Sequence, residues 1–407
     1  MALTTLIRSK ERHLPEGWAM RSLGSCLAEQ PRYGIGASAV PDNPSLPRYI
    51  RITDISEQGK LTGALPVSVD EPNSSDYALE DQDMLLARTG ASVGKSHLFR
   101  TRAGDRESVF AGYLIRIRCD HTLLLPTFLS AFLTSKEYWD WVRRVSVRTG
   151  QPGISASQYA SLQVPVPPIP VQREISESID AVDSLIDSLD SLIIKKRQIL
   201  RGVLHQLMSG ARRLPGWSQG WSEVEVGQLC SPRKNRIYPG IPSAAQFCVE
   251  LEHIEGKTGQ LIGATTAGAG LSMKTEFHSG DVLFGKLRAY LQKFWLADRS
   301  GACSTEIWAL APQSDLIDSR YLRQLVSTHR FIQAASTAYG THMPRSEWNT
   351  VARLRFQIPT IPEQEAIAEI LSGMDSDIAV LVLRRNKLTL VKQAMTQELL
   401  SGRTLLP

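Results

Sequence analysis

A long stretch between Val171 and Ser209 carries apolar residues at alternating steps of four and three. Nine of ten positions in this series are aliphatic, and the tenth is Lys196. An average step of 3.5 residues is typical of a coiled-coil seam. The pattern predicts one helix of roughly 55–60 Å, which needs a partner to bury its apolar face. The aliphatic positions are Ile175, Ile179, Val182, Ile186, Leu189, Ile193, Leu200, Val203 and Leu207.

A second series of the same kind lies 192 residues later, because Pro170-Val-Gln172 is matched by Pro362-Glu-Gln364. It is interrupted by Arg385 and Lys392, and both series end in Ser-Gly. Two matched long helices, each with a Ser-Gly stop, are most simply interpreted as packed against each other. The alternative is two separate helices, each on its own globular domain. The apolar positions of the second series are Ile367, Leu371, Met374, Ile378, Leu381, Leu388, Met395 and Leu399.

The seam predicts an antiparallel pair in which facing residue numbers add up to about 574. Ile175 is then expected near Leu399, and Leu207 near Ile367. Lys392 comes within reach of Asp183, because its aliphatic stem can pack while its head meets the carboxylate. We hypothesise that Lys196, Arg385 and Lys392 fix the register of the two helices rather than add stability.

Each long helix is preceded by a segment of similar plan. Both segments open with Leu-Pro and tryptophan and then alternate as strands do, which predicts matching strands at 49–55 and 248–254. Both then switch to helical spacing and end in a proline-rich approach to the helix. The prediction is a mixed α/β fold: two tandem α/β domains separated by two long α-helices packed as an antiparallel coiled coil, with pseudo-two-fold symmetry. The predicted parts are a leader at 1–13, a first domain at 14–165, a central helix at 166–213, a second domain at 214–358 and a distal helix at 359–407.

The matched strands of the two domains are followed by short basic and polar loops. Arginine offers a bidentate fork to guanine edges and lysine a point charge for phosphate, so these loops favour contact with DNA. We expect Lys95 and Lys293 to contact phosphate, and Arg88 and Arg288 to read bases. A solvated loop is the alternative for any one cluster. The candidates are Arg88, Thr89, Ser92, Lys95, Arg148 and Gln151 in the first domain, and Arg233, Lys234, Arg236, Lys286, Arg288, Tyr290, Lys293, His342 and Arg345 in the second.

The segment Gly90-Ala-Ser-Val-Gly94-Lys95-Ser96 resembles a phosphate-binding loop but lacks its first glycine, which Thr89 replaces. The residues after it read as a strand rather than as the helix whose amino terminus would hold phosphate. No motif of a methyltransferase, a dinucleotide site or a zinc protease is present. We therefore expect neither a catalytic site nor a metal site in this chain.

Composition narrows the class further. The net charge of +5 is mild, so only local clusters can support nucleic-acid binding, and 42% hydrophobic residues suit a folded protein. Five scattered cysteines without a Cys-x-x-Cys pair indicate a reducing compartment. The chain shows no signal-peptide core and no apolar run of about 20 residues, which predicts a cytoplasmic protein without membrane contact.

The duplicated arrangement resembles the specificity subunit of type I restriction-modification systems. Its order is recognition domain, conserved helix, recognition domain, conserved helix. The residues that carry the resemblance are Leu14-Pro-x-Gly-Trp18 with Trp217 and Trp221, Arg88-Thr-Gly-Ala-Ser-Val-Gly-Lys95, Pro168-Ile-Pro-Val-Gln172 with Pro362-Glu-Gln364, Cys303-Ser-Thr-Glu306 and the two Ser-Gly helix ends. In the second domain Lys286-Leu-Arg-Ala-Tyr290 departs from the family's glycine-lysine loop.

The resemblance implies a non-catalytic reader of a bipartite double-stranded DNA target, with the helices as a ruler for the unread spacer. It implies two methyltransferase subunits, which bind S-adenosylmethionine and methylate adenine, and two restriction subunits, which use ATP and magnesium. None of these cofactors is expected on this chain. The alternatives are a coiled-coil scaffold that links two protein-binding domains and a stand-alone nucleotide-dependent enzyme.

Overall fold

The computed structural model describes residues 14–56, 59–62, 65–101, 103–146, 152–237, 247–266, 272–337 and 344–403. The chain divides into two compact units, Met1–Ser188 with Arg385–Pro407 and Leu189–Arg384. Each unit therefore contains one globular domain and part of both long helices. The predicted leader at 1–13 lies outside the described residues.

The described part of the first unit contains ten strands and three short α-helices, followed by the first long helix. The strands are β1 (Ala19–Ser22), β2 (Arg32–Tyr33), β3 (Val40–Pro41), β4 (Arg48–Ile50), β5 (Val67–Ser68), β6 (Met84–Ala87), β7 (Ser96–Leu98), β8 (Ser108–Phe110), β9 (Leu114–Ile117) and β10 (Gln163–Val166). The helices are α1 (Pro126–Phe132), α2 (Lys136–Val145), α3 (Ala156–Ser161) and the long α4 (Ile169–Met208).

The second domain has a similar order of elements, with eleven described strands and four short α-helices before the second long helix. Its strands are β11 (Ser222–Glu225), β12 (Cys230–Pro232), β13 (Arg236–Ile237), β14 (Phe247–Val249), β15 (Thr265–Thr266), β16 (Lys274–Phe277), β17 (Val282–Gly285), β18 (Phe294–Leu296), β19 (Gly301–Ser304), β20 (Ile307–Pro312) and β21 (Arg355–Ile358). Its helices are α5 (Val226–Leu229), α6 (Ser319–Ser327), α7 (His329–Ser336), α8 (Trp348–Ala352) and the long α9 (Ile361–Ser401).

One four-stranded sheet has the same strand order in both domains. The order β2-β9-β6-β7 in the first corresponds to β12-β20-β17-β18 in the second, and all neighbours in both are antiparallel. A second sheet has the order β3-β5-β4-β8 in one and β13-β16-β19-β14-β15 in the other. Each of these contains one parallel pair, β4 with β8 and β14 with β19. The mixed α/β class predicted from the sequence is confirmed.

Each domain is closed by pairing of its first and last strands. Strand β1 runs antiparallel to β10, with Ala19 opposite Val166, and β11 runs antiparallel to β21, with Ser222 opposite Ile358. The last strand leads within three residues into the long helix. The chain therefore enters each domain beside the point where it leaves.

Several predicted strands are shorter in the structure. The stretch from Tyr49 to Ile55 ends as a strand at Ile50 and continues as a 3₁₀ turn at Ile52–Asp54. The Asp54 carboxylate accepts the Arg51 backbone N–H at 2.9 Å, and His253 Nδ1 accepts the Glu250 N–H at 3.0 Å at the matching turn. Such side-chain to backbone bonds compete with the sheet ladder.

In both long helices, the side that carries the apolar series is buried. Every position of both series is buried or half-buried, whereas apolar residues off the series, such as Leu192, Ile194, Val380 and Leu383, are exposed. In the first unit Ile175, Ile179 and Leu399 belong to one buried cluster with α1 and α2. In the second unit a cluster contains Leu207, Ile367 and Leu371 together with α6 and α7.

Within each unit, an ion pair joins α4 to α9. Lys392 Nζ lies 2.6 Å from the Asp183 carboxylate in the first unit, which confirms that predicted contact. Lys196 Nζ lies 3.2 Å from the Asp377 carboxylate in the second. Both pairs are partly exposed, so each contributes at most about 1 kcal/mol.

Two glutamines fix the starts of the long helices. Gln172 and Gln364 are the fourth residues of α4 and α9, and their side chains are buried. Gln172 Oε1 accepts the Leu125 N–H at 2.8 Å, while Nε2 donates to the carbonyls of Leu123 at 2.9 Å and Pro167 at 2.8 Å. An unpaired buried amide would be costly, and these bonds satisfy three of its four hydrogen-bonding positions.

Candidate nucleic-acid interface

A basic cleft of about 630 Å³ lies in the second unit, and it brings together four residues predicted from the sequence. Arg233 and Lys234 reach it from the segment that joins β12 to β13. Arg236 reaches it from the start of β13, and Lys286 from the position directly after β17. None of the described residues that line the cleft is acidic. The concave surface therefore presents positive charge, as a phosphate backbone requires.

The four cations have different surroundings. The Arg233 guanidinium donates to both oxygens of Asp281, at 2.5 and 2.9 Å, and this hydrogen bonding raises the pKa of Arg233. Arg236 donates to the Thr275 hydroxyl. Among the described residues, the structure records no hydrogen bond or ion pair for the side chains of Lys234 and Lys286. Arg233 thus holds the domain together, while the two lysines present their charge to the cleft.

Two tryptophans form one wall of the cleft. Trp308 on β20 and Trp348 on α8 meet edge to face, with ring centroids 5.5 Å apart. Aromatic faces next to cations suit the sugar and base surfaces of nucleic acid. Sequence reasoning missed these residues together with Asn235 and Thr275. The signal for Trp348 was its position three residues after Arg345, inside a cluster already judged basic.

A loop beside the cleft carries the other candidates of the second domain. Arg288 and Tyr290 are exposed, and Arg288 adopts a left-handed conformation with φ of 54°. The Arg288 N–H donates to the Pro344 carbonyl at 3.0 Å, which brings Arg345 next to this loop. The Arg345 guanidinium donates to Glu306 at 2.9 Å, and this bond raises the pKa of Arg345. His342 lies outside the described residues.

The Lys293 side chain makes a hydrogen bond within its own domain. Its ammonium donates to the Leu251 carbonyl at 2.6 Å and lies half-buried within its domain. An ammonium has three donors, so this bond leaves capacity for a phosphate. Nothing in the structure tests that contact, which stays a prediction.

In the first domain Arg88 stacks on a tyrosine. Its guanidinium carbon lies 4.6 Å from the centre of the Tyr33 ring, and the Tyr33 hydroxyl accepts the Ala156 N–H at 3.0 Å. The Arg88 N–H donates to the carbonyl of Tyr113, whose side chain is exposed. Stacking holds a guanidinium in one plane, and this orientation favours a bidentate contact. Neither tyrosine was singled out from the sequence.

The loop that resembles a phosphate-binding loop has a different fold. Gly90–Ser92 forms a single 3₁₀ turn, and β7 follows it as a strand, as the sequence predicted. Thr89, Ser92 and Lys95 are half-buried there. Gly94 has φ of +88°, and a Cβ there would lie 2.8 Å from Val142, so the glycine serves packing. Arg148 and Gln151 lie outside the described residues.

The cysteines carry no metal site in the described part of the chain, where no group of three or more potential metal-binding side chains occurs. All five thiols are buried, and burial raises the pKa of Cys119 and of Cys230 to about 12. These thiols are protonated at neutral pH and unreactive. None of the helices described is long and apolar enough to span a membrane.

A family model described as "Type I restriction modification DNA specificity domain" matches residues 48–195 and again 219–390. The two matches together cover most of the chain. The chain belongs to this family. Recognition of a DNA target is accordingly its function, and members of the family are specificity subunits, which are non-catalytic.

Named relatives agree with this assignment. The type I restriction enzyme EcoDI specificity subunit of Escherichia coli is 24% identical over 74% of this chain and 71% of its own. The MjaVIII specificity subunit of Methanocaldococcus jannaschii is 18% identical over 97% of this chain and 95% of its own.

Solved structures support the fold of this family member. A chain from work on complex assembly and conformational transition of the type I R-M system has a TM-score of 0.56 at 16% identity, covering 96% of this chain and 99% of that one. The type I system S subunit from M. genitalium has a TM-score of 0.55 at 15% identity, covering 94% and 96%.

The Arg233–Asp281 pair leads to a stability prediction. Replacing Arg233 with Ala leaves the buried Asp281 carboxylate without its cation, which we expect to lower the free energy of unfolding by about 3 kcal/mol. The matched control is Lys234→Ala, next in the chain and exposed, with an expected change within about 0.5 kcal/mol. Urea unfolding followed by circular dichroism measures both. Equal stabilities of the two variants would show that Arg233 is not structural.

Proposed function

We propose that this specificity subunit reads a bipartite double-stranded DNA target, with one half-site for each globular domain. The observation that carries the proposal is the duplication: the two domains share the strand order of one four-stranded sheet, and each places predicted basic residues at its surface. Each domain is joined in the chain to a helix of about 40 residues. Two recognition domains joined by long helices suit a DNA target in which two recognised half-sites are separated by a spacer that is not recognised.

The connection is proposed to be an antiparallel coiled coil that acts as a ruler. The Lys392–Asp183 pair and the Lys196–Asp377 pair support this arrangement, because the residue numbers of each pair add up to within one of 574. Lys196 and Lys392 both interrupt the apolar seam. Their ion pairs favour the hypothesis that these positions, with Arg385, set the register of the helices.

The partners are proposed to be two methyltransferase subunits and two restriction subunits. S-adenosylmethionine would bind the methyltransferase subunits, and ATP and magnesium the restriction subunits, with none of these on this chain. The site of action is the cytoplasm, where the DNA and the partner subunits occur together.

Mapping of methylated adenines in cells that carry this chain with its methyltransferase tests the proposal. The expected result is methylation within one bipartite motif whose two halves are separated by a spacer of fixed length. Deleting the chain while keeping the methyltransferase should abolish the motif. Methylation of one contiguous motif would contradict the bipartite target, and methylation without any defined motif would contradict sequence-specific reading.

Single substitutions separate positioning contacts from base reading. Lys95→Ala and Lys293→Ala should weaken binding to every sequence and reduce the slope of log affinity against log salt by about one. Arg88→Ala and Arg288→Ala should instead relax one base position, at a cost of about 1–3 kcal/mol against the cognate base. Titrations at several salt concentrations measure both effects. A Lys95→Ala variant with unchanged affinity and slope would make the loop assignment wrong.

Lengthening the helices tests the ruler. One seven-residue repeat inserted after Asp190 and another after Val382 preserves the apolar seam, because seven residues keep its phase. Each insertion adds roughly 10 Å, or about three base-pair steps of ~3.4 Å. Both half-site sequences should persist while the spacer lengthens. The duplex also turns by about a third of its ~10.5 base-pair repeat, so we expect reduced activity.

Insertions of four residues at the same places serve as the control, since they rotate the seam out of phase and should destabilise the protein. Methylation mapping reads out the spacer. An altered half-site combined with an unaltered spacer would refute the ruler.

A further inference from the structure

The two buried glutamines make the same set of hydrogen bonds at matching places in the two units. Gln364 Oε1 accepts the Asp318 N–H at 2.9 Å, and its Nε2 donates to the carbonyls of Leu316 at 3.0 Å and Pro359 at 2.9 Å. This reproduces the bonds of Gln172 to Leu125, Leu123 and Pro167, and the exposed fractions are 1% and 0%. The same side-chain atoms make equivalent bonds in both units, so the arrangement is part of the duplication.

Each glutamine joins three segments of its unit. The first is the long helix that carries it, and the second is the end of the proline-rich approach, at Pro167 or Pro359. The third is the loop immediately before the first helix of the pair that packs on the sheet, α1 after Leu125 or α6 after Asp318. A single planar amide therefore ties the domain to the start of the helix through three hydrogen bonds in each unit.

The other polar contacts between domain and helix differ between the units. In the second unit Arg213 donates to the fully buried Glu363 at 2.6 and 3.0 Å, and Arg323 pairs with Asp375 at 2.5 Å. In the first unit Lys60 pairs with the exposed Asp187. Among the described residues, the glutamine bonds are those that recur with the same atoms. They are the contact on which a common geometry for both domains can depend.

We infer that Gln172 and Gln364 are positioning residues that set the direction in which each recognition domain leaves its helix, and through it the spacer length that the protein accepts. The inference rests on the proposed bipartite function. A domain of about 150 residues extends ~15–20 Å from such a junction. A rotation of about 10–13° there displaces a DNA-contacting surface by one base-pair step of ~3.4 Å. A protein that distinguishes spacers differing by one base pair therefore needs a junction that rotates by less than this angle.

The test uses Gln172→Met and Gln364→Met in the complete complex with its methyltransferase. Methionine has a similar length and can neither donate nor accept these bonds, so it loosens the junction without adding charge or bulk. Affinity is measured for the cognate DNA and for DNA with the spacer one base pair longer or shorter. We expect the preference for the cognate spacer to fall by about tenfold or more, which corresponds to about 1.4 kcal/mol, while both half-site sequences stay unchanged.

Ser135→Ala and Thr328→Ala are the matched controls, one in each domain. They remove the side-chain caps of α2 and α7, which accept the N–H groups of Tyr138 and Phe331, and do not touch the helix junctions. They should lower Tm and leave the spacer preference as in the wild type. If a control of equal Tm loses the preference to the same extent, the glutamines act only through general stability and the inference is overturned.

A second variant covers the case in which a methionine substitution prevents folding. Gln172→Asn keeps the amide but is one methylene too short to reach Leu123 and Leu125, and the same loss of spacer preference is expected. Faster hydrogen exchange of the Leu125 N–H should accompany it, since that group loses its acceptor. A wild-type complex without spacer preference would refute the bipartite function itself. A wild type that discriminates, together with glutamine variants that discriminate as sharply, would refute only the positioning role.

Discussion

A helix of 40 residues with one apolar side cannot exist alone in water, and the rest of this structure follows from that constraint. Helix formation is cooperative, but long helices in proteins owe most of their stability to burial of an apolar face. Here apolar residues of α4 and α9 lie in buried clusters together with the helices of the domains, one such cluster in each unit. The polar interruptions at Lys196 and Lys392 are tolerated because each finds a carboxylate on the opposite helix. The same constraint makes the domain-to-helix junction a place where buried polar groups must be matched, as they are at Gln172 and Gln364.

One arginine in each domain pairs with a buried aspartate and is therefore part of the fold. A buried aspartate follows the same turn in each domain, Asp83 before β6 and Asp281 before β17, and each receives a bidentate guanidinium. The cation comes from Arg118 after β9 in one domain and from Arg233 after β12 in the other, on different strands of matching sheets. Such arginines are needed by the fold, since a buried carboxylate without a partner is strongly destabilising. Lys234 and Lys286 in the cleft are in no such pair among the described residues, and we propose that their charge is available to DNA.

The sequence was most informative where the physics is local. The seam between Val171 and Ser209 predicted α4 to within two residues at each end, because periodicity depends only on spacing along the chain. The strand after Tyr49 was predicted too long, since its end is decided by the Asp54 carboxylate rather than by alternation. The cleft was predicted in part: its cations are visible in the sequence. Other features of the cleft depend on tertiary contacts, which cannot be deduced from spacing along the chain. Arg233 pairs with Asp281, 48 residues away, and Trp308 packs against Trp348.

Pairing of the first and last strands of each domain has a consequence for how such proteins diversify. Because β1 pairs with β10 and β11 with β21, the chain enters and leaves each domain at one place, beside the long helix. A domain closed in this way is connected to the rest of the chain at two adjacent points. Genetic recombination at those two points exchanges a whole domain and leaves the backbone hydrogen bonds of the junction intact, because a strand ladder needs no particular side chain. Under the proposed function, a crossover at each of these two points gives a new combination of half-sites in one exchange.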